Sequence, residues 1–165
     1  MKQWYVVHTQ AQGEFRALLN LERQGFEAWL PLIRRQRRHA RRIDTVLRPL
    51  FPRYLFVRVD LDAEPWRPIL STFGVSHVIG GDEGPSQVPD AVVDALAARA
   101  GPDGQFELGA EGFHSGDKVR ILEGPLAELE GIFQAASDDE RVMILLRLMG
   151  REVRVRVPGS DIEAV

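Results

Sequence analysis

The chain has 165 residues, enough for one domain with a real core or two small ones. Hydrophobic residues make up 44% and charged residues 27%, which excludes a chain disordered throughout, and no run of about 18 uncharged apolar residues exists to form a membrane-spanning helix. Cys is absent, so disulfides, thiolate metal sites and Cys nucleophiles are excluded; MKQWYVVHTQ reaches polar residues too soon for a signal-peptide apolar region, and a cytoplasmic location is expected. The net charge of -3 conceals an asymmetry: residues 1–53 hold 11 Lys/Arg against 4 Asp/Glu, and residues 54–165 hold 10 against 20. Such a split suits a basic face for nucleic acid and an acidic remainder.

Trp4 to His8 predict a strand, being aromatic and β-branched. Residues 13–24 predict an amphipathic helix with Phe15, Leu18 and Leu19 on its apolar face and Arg16, Asn20 and Arg23 on the wetter flank, closed by Gly25. Ala28 to Ile33 predict a second strand, with Pro31 marking an edge or a bulge. Six Arg then fall within residues 34–42, without apolar periodicity, and predict an exposed hairpin tip. Arg37, Arg38, Arg41 and Arg42 offer phosphate a salt-dependent attraction; the alternative is a merely solvated turn. Gln12, Arg16 and Asn20 share a polar helix flank with its preceding loop, which suits base edges as well as ordinary helix surface.

PLFPRYLFVRV (49–59) predicts an extended entry and a long central strand. Tyr54 and Phe56 lie on one face of it, and Leu55, Val57 and Val59 on the other. Both faces are apolar, so the strand is either buried on both sides or leaves one patch for a partner, which Trp66, Val93 and Leu96 could extend. Residues 64–72 predict a short helix, 74–79 a strand and 89–100 a helix striped by Val92, Val93 and Leu96. Residues 101–113 carry four Gly and one Pro and predict a linker. In the remainder, Lys118–Leu122, Glu130–Gln134, Val142–Leu148 and Glu152–Val157 predict short strands of a small all-β barrel. Asp138, Asp139 and Glu140 predict a solvated turn. The expected organisation is an α+β domain over 1–100, a mainly antiparallel sheet flanked by helices, then the linker and a β-barrel over 114–165.

Catalytic chemistry has little support. His8, His39, His77 and His114 are scattered, and no phosphate loop or nucleophile elbow occurs. Neither a catalytic residue, a metal site nor a cofactor is expected.

WYVV (4–7), PLFPRYLFV (49–57) and GVSH (74–77), with GDKVRI (116–121) and EGPL (123–126) downstream, resemble NusG-type transcription factors, an N-terminal domain followed by a KOW module. The likeness spans essentially the whole chain and is closer to the operon-specific RfaH branch. The resemblance implies a non-enzymatic protein that rides on bacterial RNA polymerase, and a monomer is expected because no coiled-coil heptads or long unpaired apolar helices appear. Tyr54 and Phe56 would dock on the clamp helices, with Val93 and Leu96 flanking them. Trp66, which could extend the patch, completes the expected polymerase-binding set, although Pro65-Trp66-Arg67 departs from the family's polar motif there. Arg16 matches a position that meets non-template DNA, and the Arg34–Arg42 run would point to upstream DNA. Gln12 and Asn20 stand beside Arg16 as further DNA-binding candidates from the polar flank, although Asn20 departs from the branch's basic or His contact there. Rho or a ribosomal protein would be the KOW partner by analogy. An RNA- or ribosome-binding KOW protein is the alternative.

In the RfaH branch the KOW module can rest as a helical hairpin over the docking patch. As a helix, Leu126, Leu129, Ile132 and Phe133 share a face, and Val142 to Met149 is rich in helix formers. Gly124, Pro125, Gly131 and Gly150 suit barrel turns instead, so a barrel is the expected main state. Arg48 and Arg141 stand where the branch pairs an acid with an Arg, so that interdomain latch is not expected.

Overall fold

Alternation of side chains along β1 (Gln3–Thr9) and β5 (Tyr54–Val59) organises the protein. The structure is a computed structural model; it describes residues 1–107, 131–133 and 137–150 in full, and residues 153–157 and 160–164 as backbone. β1 pairs antiparallel with β5, setting Trp4 opposite Arg58, Val6 opposite Phe56 and His8 opposite Tyr54. The main sheet has the order β2-β5-β1-β6, where β2 is Glu27–Trp29 and β6 is Val75–Val78. The stretch expected as one strand from Ala28 to Ile33 is divided at Leu30 and Pro31, and β3 (Leu32–His39) leaves to form a separate hairpin with β4 (Arg42–Pro49). Pro lacks the N–H that a continuous ladder needs. A small β7–β8 ladder (Gly80–Gly81 with Gly84–Pro85) follows β6, and β9 (Gln87–Val88) pairs with β1.

One sheet face carries Tyr5, Val7, Leu55, Val57 and Val59 and is closed by α1 (Glu14–Arg23) and the 3-10 helix Arg67–Ser71, through Ala17, Leu21 and Ile69. The helix faces the sheet differently from the expectation. Phe15 is 52% and Leu19 51% exposed, while Glu14, Ala17 and Leu21 are buried. Close approach of the backbones accompanies this rotation. Gly74 (φ +90°) abuts the helix so tightly that a Cβ there would lie 2.7 Å from the Ala17 nitrogen, so glycine at 74 lets α1 sit close with its small Ala17 turned inward.

The opposite face carries Val6, Tyr54 and Phe56. It is closed by α2 (Asp90–Ala98) through Val92, Val93 and Leu96, and then by the C-terminal half of the chain. There, α3 (Asp138–Leu148) replaces the strand expected over Val142–Leu148, and residues 131–133, within the strand expected over Glu130–Gln134, are also helical. The Ser137 hydroxyl accepts from the Glu140 N–H, so the three acids expected as a turn form a capped first turn favourable to the helix dipole. Gly150 (φ +75°) follows the helix end. Leu145, Leu146 and Leu148 join the cluster of Phe56. Local Gly signals lost here to an apolar face that remained to be covered. β10 (Val153–Val157) and β11 (Ser160–Ala164) form an antiparallel pair, close to the last expected strand. The expected strand Lys118–Leu122 lies outside the described residues.

Candidate binding interface

The sheet places an aromatic row under the C-terminal helix. Trp29 on β2 neighbours Phe56 on β5, with ring centres 5.3 Å apart, and Phe51 approaches Phe56 edge-on at 6.1 Å. Phe106 stands 6.3 Å from Trp29 and stacks on Phe133 at 5.8 Å. Phe56, Val93, Leu96 and Phe133 are buried in this one cluster, with Tyr54 half-buried at its margin. Tyr54, Phe56, Val93 and Leu96 are therefore brought together, and Phe133 joins them from the other end of the chain. Trp66 is not: it packs in the cluster on the α1 side of the sheet, beneath the Arg67 guanidinium. Leu126 and Leu129 lie outside the described residues.

Tyr54 also borders a polar corner. The His8 ring lies 4.9 Å from Tyr54 and 4.7 Å from His77. Burial, then the His77 and Arg53 charges, push His8 down to about 4, so it is neutral at pH 7. Burial pushes the Tyr54 hydroxyl up, so it stays protonated as well.

An ionic clasp fixes α3 beside this face. Arg141 is fully buried; its Nε donates to the Leu50 carbonyl at 2.9 Å and its guanidinium pairs with Asp138. Asp138 also receives Arg35 of β3 at 3.3 Å. Burial, then the Arg35 charge, push Arg141 down to about 10, which leaves it cationic at neutral pH. This is a different latch from the one the branch builds between positions 48 and 141: the Leu50 carbonyl and an acid of its own helix hold Arg141. The first part of the expected linker is also engaged. Phe106 exchanges backbone hydrogen bonds with Leu32 and Arg34, while Asp103, Gln105 and Glu107 hold the Arg34 side chain.

These contacts divide the arginine run. Arg34 and Arg35 face the C-terminal half, and Arg37 meets Asp44 across the hairpin at 3.8 Å. Arg38, Arg41 and Arg42 at the exposed tip have no acidic partner among the described residues. On α1, Arg16 is exposed and Asn20 half-exposed, and Gln12 is exposed in the turn before the helix; the Arg16 guanidinium sits 5.1 Å from the ring centre of Phe73. The basic tip and this flank are separate surfaces on different elements. Sequence reasoning missed Trp29, Phe51, Phe106, Leu145, Leu146 and the clasp. Ser137 with Glu140 three residues on was the available signal for α3.

Among the described residues no helix is long and apolar enough to cross a membrane, and no group of three or more His, Asp or Glu is placed to hold a metal ion. A family profile described as "Transcription termination factor nusG" matches residues 2–97. Relatives named "Transcription termination/antitermination protein NusG" align along most of the chain. That of Pseudomonas aeruginosa is 25% identical over 178 residues, covering 99% of both chains. That of Thermus thermophilus is 27% identical over 178 residues, covering 97% of both. That of Streptomyces coelicolor is 28% identical over 187 residues, covering 98% of this chain and 62% of the relative.

Proposed function

The chain belongs to the NusG family of transcription termination and antitermination factors, and on that premise we propose that it docks on the clamp helices of RNA polymerase through Tyr54, Phe56, Val93 and Leu96. It acts there by binding, without covalent chemistry, and suppresses pausing and termination in the cytoplasm. The observation that carries this reading is the composition of the Phe56 cluster: the N-terminal half supplies an apolar aromatic surface, and α3 supplies the leucines that cover it. A surface of this kind needs a cover whenever its partner is absent. The reading extends to an RfaH-like resting state, in which residues 114–165 carry a KOW module that holds α3 on the docking face until polymerase displaces it.

Nucleic acid completes the arrangement. The tip cations Arg37, Arg38, Arg41 and Arg42 approach upstream DNA through phosphates, and Gln12, Arg16 and Asn20 meet the non-template strand. Released from the face, the KOW module takes Rho or a ribosomal protein as partner.

Binding of the full-length chain to a polymerase clamp-helix fragment tests the docking reading. Tyr54→Glu is the informative variant, because Tyr54 is half-buried and its replacement spares the centre of the core. The expected result is loss of fragment binding with an unchanged circular dichroism spectrum. Undiminished binding by a folded Tyr54→Glu protein contradicts docking through this face, and absence of fragment binding by the unaltered protein favours an RNA-binding role for the basic surface.

A further inference from the structure

A cleft of about 500 Å³ opens at the other end of the docking face, away from His8 and Tyr54. Its floor is a row across three strands: Trp4 on β1, Arg58 on β5 and Glu27 on β2. Trp29 forms one side, edge-to-face with Trp4 at 6.5 Å and 63°. The other side is α2, which contributes Asp90, Val93, Asp94 and Ala97. Asp90 and Asp94 are four residues apart, so they share one helix face.

The charges in the cleft do not balance. Arg58 is paired with Glu27 at 3.7 Å. Asp90 and Asp94 have no ion-pair partner among the described residues. The cleft therefore combines two indole rings, an apolar strip and a net negative charge. A cation on a long apolar stem satisfies all three: the stem lies along Val93 and Ala97, the charge faces the carboxylates, and the indole faces add cation–π attraction. A planar guanidinium suits this better than an ammonium, since it stacks on an aromatic face while still donating sideways to carboxylates.

We infer that this cleft receives an arginine side chain from the surface on which the protein docks. The inference rests on the docking reading only for the identity of that partner. Trp29 and Val93 belong to both the cleft and the Phe56 cluster, so a partner with an apolar contact for Phe56 and a neighbouring arginine engages both. No described residue of α3 lines the cleft, so it stays open while α3 covers the aromatic face. It supplies a first foothold before displacement.

Full-length protein carrying Trp66→Phe confines the tryptophan fluorescence to Trp4 and Trp29, which both line the cleft. This protein is titrated with N-acetyl-arginine amide, and with N-acetyl-citrulline amide as the neutral isostere, at constant ionic strength. The expected result is a saturable fluorescence change with the arginine compound alone, weakened about fivefold in Asp90→Asn/Asp94→Asn, the scale of two exposed ion pairs lost while the indole contacts remain. Equal responses to the two compounds, no response to either, or an arginine response unchanged in the double variant overturns the site. The same double variant is then bound to RNA polymerase. An affinity about fivefold lower with a flatter salt dependence is expected, and an unchanged affinity overturns the assignment of the partner. Failure of the docking reading shows separately, as binding that survives Tyr54→Glu.

Discussion

The two faces of the main sheet are closed by different parts of the chain. Over Leu55 and Val57 lie α1 and the 3-10 helix, joined to the sheet strands by short connections. Over Phe56 lie α2 and, from the far end of the sequence, α3. A cover drawn from neighbouring sequence is bound up with forming the sheet itself. A remote cover can leave while every strand pairing stays intact. On the proposed docking reading, the difference separates a structural core from a surface held in reserve.

The largest expected effect contrasts two leucines, both fully buried. Leu21→Ala on α1 should lower the unfolding free energy of the sheet by about 2–5 kcal/mol, read by denaturant titration. Leu145→Ala deletes the same atoms from α3, yet should leave the sheet's main transition nearly unmoved and instead raise polymerase affinity. Equal losses of global stability from the two variants would break the comparison.

A smaller effect is expected at the clasp. Asp138→Ala leaves the buried Arg141 guanidinium without its carboxylate and removes the pairing with Arg35. It should weaken the closure of α3 by about 1–3 kcal/mol, seen as faster proteolysis within residues 138–148. Proteolysis at the wild-type rate would show that the leucines hold α3 unaided.

The smallest effect concerns pH. His8 titrates at about 4 in the folded protein and near the ordinary 6.5 when unfolded. Below pH 6.5 the unfolded state binds the extra proton, so stability falls as pH drops toward 4. Thermal melts of the wild type and His8→Phe should diverge across that window, with the variant less sensitive to acid. Parallel curves would remove His8 from the account.

Much of the N-terminal half is legible because its signals are local. Alternation places Tyr54 and Phe56 on one face and Leu55, Val57 and Val59 on the other, as the clusters have them. The buried face of α1 escapes the same reading, because Ala17 is buried where the helix backbone meets Gly74, which no hydrophobic pattern displays. Residue type alone points Trp66 to the docking patch, whereas its position across the sheet depends on the path of the chain after β5. The strand expected over Val142–Leu148 fails for the converse reason: its conformation is set by a tertiary face, and the Ser137 cap that favours the helix also reads as a turn.

Hydrogen exchange with and without RNA polymerase tests the central claim most directly. Saturating polymerase should strip protection from the amides of α3 while α1 keeps its own. If α3 remains as protected in the complex as in the free protein, the helix is a permanent part of the core and the proposed docking face is not the one that polymerase meets.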